Sequence, residues 1–280
     1  MRLAQRIALT YLRSQLKLLA TVSKKRAARK AFEIFCTPQS RHVRDFPSIY
    51  KTSESLSLKL GKDTVYGHRW HAGASKRALL LHGFESSAVN FAHYVQPLVA
   101  RGYEVLSFDA PAHGRSTGKQ ITVVVYMELV KKIWNDYGPF DAIIGHSFGG
   151  LAATLALEQI PHTGLLKLVL IAPATETSRA LDNYCRLLRI DEGTRREIEA
   201  LIGKIGGHPA SWFSVSRALP HLKARVLFLQ DREDAQTPFE DVEPIMQQNH
   251  PGVHFVISEG LGHRRIYRDE ASVKAILGFL

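Results

Sequence analysis

The amino-acid sequence predicts an α/β fold: a mostly parallel sheet covered by helices on both faces, with a helical cap inserted late in the chain. Three observations carry this. From residue 54 onward, short apolar stretches of strand length alternate with longer amphipathic ones, the pattern of a parallel sheet buried on both faces. Five of the turns that follow those strands hold Ser, His, Asp or Glu, as expected where ligands bind beyond the carboxyl ends of an open parallel sheet. One connection, from Ile171 to Arg225, is far longer than the others, and such an excursion from a regular array is usually functional.

The elements follow in order. At about 100° per residue, Arg2, Arg6, Arg13 and Lys17 share one narrow sector of a helix over the first 22 residues, while Ile7, Ala8, Tyr11, Leu12, Leu16, Leu18 and Leu19 cover most of the remainder. Arg13 and Lys17 interrupt every apolar run, so neither a signal-peptide core nor a span of about 20 apolar residues is expected. An apolar arc this wide needs cover: the protein's own body, a second subunit or the interfacial layer of a membrane, with a cleaved targeting segment as a further account. Residues 1–50 are read as this basic helical segment and 51–280 as one catalytic domain.

"SLSLKL" and "TVYGHRW" read as an entering hairpin that turns at Gly61-Lys62-Asp63. Strands are expected near 77–81, 104–108, 141–144, 167–171, 225–229 and 253–257, with helices near 88–101, 120–136, 148–160, 239–248 and 270–280. The cap, about 175–221, contains "RALDNYCRLLRI" and "TRREIEALIGKI", both helical in pattern. Leu187, Leu188, Leu201, Ile202 and Trp212 are its candidates to line a substrate pocket.

Composition narrows the function. A chain of 280 residues with 45% hydrophobic content can bury one substantial core. Cys36 and Cys185 match no metal spacing and make no disulfide framework, so a reduced, cytoplasmic protein is expected. The net charge of +11 suggests nucleic acid until it is located. Nine Lys or Arg and no acid fall in residues 1–32, leaving 28 bases against 26 acids in the rest. That nearly neutral body argues against a phosphate-binding surface and a nucleic-acid partner.

The chemistry is written in the turns. Gly145-His146-Ser147-Phe148-Gly149 fits G-x-S-x-G, in which a strained strand-to-helix turn exposes a serine and needs glycine where a Cβ would clash. A serine in a turn otherwise caps a helix. As a nucleophile it needs an imidazole to take its proton and a carboxylate to hold the imidazole's tautomer. His263, in "GLGH", and Asp234, four residues before Pro238, can fill those roles, in the chain order Ser, Asp, His. Asp231 and Glu233 compete with Asp234. His146 and His113 read as packing residues, Asp109 and Arg115 as supports of a loop, and Glu85 is left without a role.

Taken together, "HGFE", "FDAPAHGRS", "GHSFGG", the Asp-to-Pro spacing and "GLGH" resemble the α/β-hydrolases over residues 50–280. "DAPAHGRS" with "GLGHRRI" is similar to bacterial members whose substrates are generally unassigned. The resemblance implies the α/β-hydrolase fold and an oxyanion hole made by the backbone N–H groups of Phe84 and Phe148; it also admits an acid after the preceding strand, such as Glu176. The expected function is a serine hydrolase that cleaves small-molecule carboxylic esters or related acyl compounds through an acyl-enzyme, with no cofactor and no metal. Serine at the nucleophile position speaks against the epoxide hydrolases and dehalogenases of this fold, which use Asp there. Two alternatives stand beside it. One is a membrane-associated lipase or phospholipid-acting enzyme with peripheral membrane contact through residues 1–30. The other is a non-catalytic ligand-binding protein of the same fold, which would need no complete triad.

Overall fold

The structure, a computed structural model, describes residues 3–41 and 45–280. Arg2, one base of the expected stripe, lies outside the described residues. In chain order come α1 (Leu3–Val22), α2 (Lys24–Phe35), β1 (Glu54–Leu60), β2 (Asp63–Trp70), β3 (Lys76–Leu81), α3 (Ala92–Val99), β4 (Tyr103–Phe108), α4 (Val123–Tyr137), β5 (Ala142–His146), α5 (Phe148–Leu157) and β6 (Lys167–Ile171). Then follow α6 (Thr177–Leu188), α7 (Glu192–Gly206), α8 (Val215–Ala218), β7 (Arg225–Asp231), α9 (Glu243–Gln247), β8 (Val253–Ser258), α10 (Gly262–Arg265) and α11 (Glu270–Phe279). These divide into two compact units: residues 38–175 with 214–280, and residues 1–37 with 176–213.

The first unit is built on one sheet, in which the described strands are ordered β1-β2-β4-β3-β5-β6-β7-β8. The β1–β2 and β2–β4 pairs are antiparallel and the rest parallel. The hairpin turns on two residues, because Asp63 already pairs with Leu60 and Gly61 takes the left-handed backbone the turn requires. In β1, Leu56 and Leu58 are buried and Ser57 and Lys59 exposed, the alternation of a strand with one wet face. By contrast β4 and β5 are buried at every position. Near-continuous apolar runs there reflect a sheet covered on both faces.

Strand order reverses at β3, whose neighbours β4 and β5 both follow it in sequence. A reversal opens a crevice at the carboxyl ends of the flanking strands, and the turns after β3 and β5 meet there. Helix α5, "FGGLAATLAL", is buried from Gly149 to Leu157. It is apolar on every side because it has no wet side.

The second unit packs α1 and α2 with α6 and α7. Ser23 caps α2 by accepting from the Arg26 N–H. Ala27, Ala28 and Ala31 make up the buried face of α2. Such small side chains let helix backbones approach closely, and the Tyr184 hydroxyl reaches the Ala31 carbonyl at 2.7 Å. Arg13 donates through Nε and Nη2 to the Leu187 carbonyl at 3.0 and 2.8 Å, and Lys24 pairs with Asp191 at 2.8 Å. That hydrogen bond from Lys24 holds the Asp191 carboxyl down at about 2, although burial opposes the shift. Cys36 and Cys185 are buried free thiols in this unit, both pushed up by burial.

The alanine face gives a test. Ala27→Leu inserts three heavy atoms where no exposed surface exists and lowers stability by about 1–3 kcal/mol through overpacking. Thermal or urea unfolding reads it. An unchanged midpoint would mean that α2 does not depend on close approach.

Candidate active site

Ser147 stands between β5 and α5 with φ 52° and ψ −120°, a left-handed region that a non-glycine residue enters only when its surroundings enforce it. Its flanking glycines answer to distance. A Cβ on Gly149 would lie 2.6 Å from the carbonyl oxygens of both Leu81 and His82, and one on Gly145 would lie 2.8 Å from Gly150. The turn after β5 is thus pressed against the end of β3, and only glycine fits at the contact. The half-buried Ser147 hydroxyl is left at the crevice.

From there a hydrogen-bonded relay runs inward. Ser147 Oγ donates to His263 Nε2 at 3.0 Å, and His263 Nδ1 donates to Asp234 Oδ2 at 2.8 Å. His263 sits on α10, the single helical turn after β8, and Asp234 in the loop after β7. Thr237 completes the acid's shell: its hydroxyl donates to Asp234 Oδ2 at 2.7 Å and lies 3.2 Å from His263 Nδ1. The N–H groups of Gln236 and Thr237 donate to Asp234 Oδ1 at 2.8 and 2.9 Å. Burial raises the Asp234 pKa, but its hydrogen bond to His263, the charge interaction with it and the Thr237 donors outweigh burial and leave the carboxyl below its usual value. With a depressed folded pKa, Asp234 stabilises the fold fully above the ordinary aspartate pKa of about 4, and that contribution is lost as pH falls through the depressed value.

Asp231, the competing acid, is engaged elsewhere. It accepts from Glu233 N–H at 3.0 Å, Ser258 Oγ at 2.7 Å and Leu261 N–H at 3.0 Å. It therefore ties the end of β7 to the loop that carries His263. Glu176 opens the helical unit, and Leu187, Leu188 and Trp212 also lie there. Leu188 is buried, Leu187 is half exposed, and Trp212 stacks on His208 at 4.1 Å.

Phe84, after β3, and Phe148, at the start of α5, meet edge to face with ring centroids 5.9 Å apart. Among the described residues neither backbone N–H donates to a protein acceptor. The turn that carries Phe84 is held by histidines that burial keeps neutral. His82 donates from Nδ1 to the Gly83 carbonyl at 2.8 Å and accepts the Ala110 N–H at Nε2 at 2.9 Å; burial brings its pKa down to about 4. His113 donates to the Pro111 carbonyl at 3.0 Å and accepts the Glu85 N–H at 3.0 Å, with burial and then His82 bringing it down to about 3. His146 donates from Nε2 to the His263 carbonyl at 3.0 Å and is likewise brought down to about 3, first by burial and then by His263.

Asp109 accepts the Ala88 and Arg115 N–H groups at 2.8 and 2.9 Å, folding the "DAPAHGRS" loop around itself. Glu85 accepts the Gln39 N–H at 2.7 Å and so anchors the chain before β1. Among the described residues, no three His, Cys, Asp or Glu side chains are grouped to hold a metal ion, and no helix is long and apolar enough to cross a membrane.

A sheet reversed at β3, a strained serine turn after β5 and a Ser-His-Asp relay define a hydrolase of the α/β class. The Alpha/beta hydrolase family model matches residues 78–274, and the chain belongs to that family. Among solved structures it is similar to the esterase Pf2001 of Pyrococcus furiosus, with TM-score 0.65 and 22% identity over 86% of this chain and 97% of that one. It is also similar to a carboxylesterase of Nitrososphaera gargenis, with TM-score 0.62 and 16% identity over 81% and 97%. A bacterial membrane phospholipase A matches with TM-score 0.61 and 18% identity over 96% and 97%. No curated protein sequence matches significantly.

The close approach at Gly149 is testable. Gly149→Ala forces the serine turn away from β3, since the clash is with backbone oxygens, and costs about 1–3 kcal/mol or more together with most of the activity. Gly278→Ala, where a Cβ meets nothing within 4 Å, raises stability by about 0.5–1 kcal/mol in its helix. Equal melting temperatures for the two variants would contradict this account.

Proposed function

We propose that the protein is a serine hydrolase that cleaves carboxylic esters or related acyl compounds through an acyl-enzyme. The observation that carries the reading is the unbroken relay from Ser147 Oγ through His263 to Asp234, at 3.0 and 2.8 Å. In this reading Ser147 Oγ attacks the carbonyl carbon while His263 Nε2 takes its proton. The tetrahedral oxyanion is held by the N–H groups of Phe84 and Phe148. Collapse expels the leaving group, which receives the proton from His263. Water, activated by the same imidazole, then releases the acid and restores the serine. Asp234 fixes the Nδ1–H tautomer and stabilises the imidazolium. A ligand-binding protein of this fold has no need for three groups in register, which favours catalysis over that alternative.

A second reading takes the acyl compound to be a lipid ester. It is favoured by the match to a membrane phospholipase A, which extends over 96% of this chain and so takes in most of α1 and α2. Turnover of dispersed phospholipid well above that of a short soluble ester would support it.

Ser147→Ala abolishes turnover of a soluble p-nitrophenyl ester and labelling by a fluorophosphonate. Loss of the nucleophile in a comparable triad costs on the order of 10⁶ in kcat. Retention of labelling would move the nucleophile elsewhere.

Asp234→Asn lowers kcat by roughly 10⁴ by favouring the wrong imidazole tautomer, with the fold retained. Asp231→Asn acts instead on stability, through the Ser258 and Leu261 hydrogen bonds. A larger kcat loss at Asp231 than at Asp234 would reverse the assignment of the acid.

A further inference from the structure

Helix α1 has two apolar faces, and only one of them is packed. Leu16 is buried and Arg13 is tied to Leu187, so that side belongs to the helical unit. On the far side Ile7, Tyr11, Leu18 and Val22 are 63%, 65%, 70% and 72% exposed. At about 100° per residue these four fall within an arc of about 60°. They are four of the eight large apolar side chains exposed among the described residues. Scattered exposed apolar residues are ordinary; half of them lined up on one helix are not.

Charge surrounds the stripe. Arg6 and Lys17 lie along one flank, and Lys25, Arg26 and Arg29 are exposed on the next helix. Among the described residues no ion pair joins any of these five to an acid, and the sequence holds no Asp or Glu before Glu33. Beside the stripe, past Ser14, runs a groove of about 610 Å³ with Arg13, Lys17 and Arg189 in its walls. The acid in its lining, Asp191, is paired with Lys24.

We infer that α1 is a membrane-docking helix, which lies in the plane of an anionic bilayer with Ile7, Tyr11, Leu18 and Val22 inserted below the headgroups and Arg6, Lys17 and Arg189 against lipid phosphates. The alternation of one apolar arc with one cationic flank is what the interfacial layer accepts. A second copy of the chain is the poorer occupant, because a symmetric contact would bring two acid-free basic surfaces together. The inference rests on the helical unit alone and holds whichever acyl compound is cleaved.

Cosedimentation of the full-length protein with vesicles tests it, using phosphatidylcholine alone and phosphatidylcholine with about a third phosphatidylglycerol. Binding to the anionic vesicles is expected to be at least tenfold tighter than to neutral ones. It weakens steeply as salt rises from about 0.05 M to about 0.5 M. Leu18→Ser with Val22→Ser weakens it at least tenfold, with unchanged melting temperature and soluble-ester turnover. Arg6→Gln and Lys17→Gln each weaken it about fivefold. Absence of binding to anionic vesicles at low salt, or equal binding by the serine variant, overturns the proposal. So does a wild-type dimer in light scattering that the serine variant converts to monomer, which would assign the stripe to a second copy. Should the serine variant fail to fold, the lipid dependence of the wild type and the two charge variants decide.

Discussion

The candidate active site depends on one contact, the approach of the turn after β5 to the end of β3. Gly149 brings backbone within reach of the Leu81 and His82 carbonyls, and nothing larger fits. A serine in left-handed backbone costs on the order of 1–3 kcal/mol, and here the turn is over-determined. The Ser147 N–H donates to the Ile171 carbonyl at 3.0 Å, and the Ser147 carbonyl accepts from Gly150 at 3.0 Å, Leu151 at 3.2 Å and Ala174 at 3.1 Å. Those bonds join the turn to α5 and to the segment after β6. The same approach brings together the turns that carry Phe84 and Phe148, whose rings meet edge to face.

Histidines divide the work around that contact. His82, His113 and His146 each donate one ring N–H to a carbonyl, and burial keeps all three neutral. A neutral imidazole offers one donor and one acceptor at a fixed separation, which suits it to bridging two loops. Among the described histidines only His263 has both nitrogens in line with a hydroxyl and a carboxylate. The carboxylates divide likewise. Asp231 accepts from the β8–α10 loop and positions His263 from outside, whereas Asp234 touches the ring itself.

What could be read from the sequence was what local spacing encodes. Strands, the hairpin, the serine turn and the long insertion all showed, because periodicity and turn chemistry act over a few neighbours. The choice between Asp231 and Asp234 rested on spacing to Pro238 alone; both lie at the carboxyl end of one strand, and their partners Leu261 and His263 lie about thirty residues away. Thr237 was missed, although Asp234-Ala-Gln-Thr237 carries a signal: a short polar side chain three residues after an acid can close a local turn on it. The part of Glu85 was unreadable for a different reason. Its partner is the backbone N–H of Gln39, and a backbone donor has no sequence signature.

The helical unit marks the limit of periodicity. The pattern of α1 shows that apolar surface must be covered, yet it carries no address, and the structure gives its two sides different fates. Inward, Leu16 joins a unit that also holds the alanine face of α2, where small side chains trade hydrophobic area for close backbone approach. Outward, a leucine or valine left in water forgoes about 1.5–3 kcal/mol of burial, and four such residues on one arc also invite association. Neither helix propensity nor packing within the unit requires them, because polar residues would serve equally on a solvated face. Four exposed apolar side chains beside cations that no acid pairs among the described residues are thus not explained by folding of the unit, and the membrane-docking proposal rests on that difference.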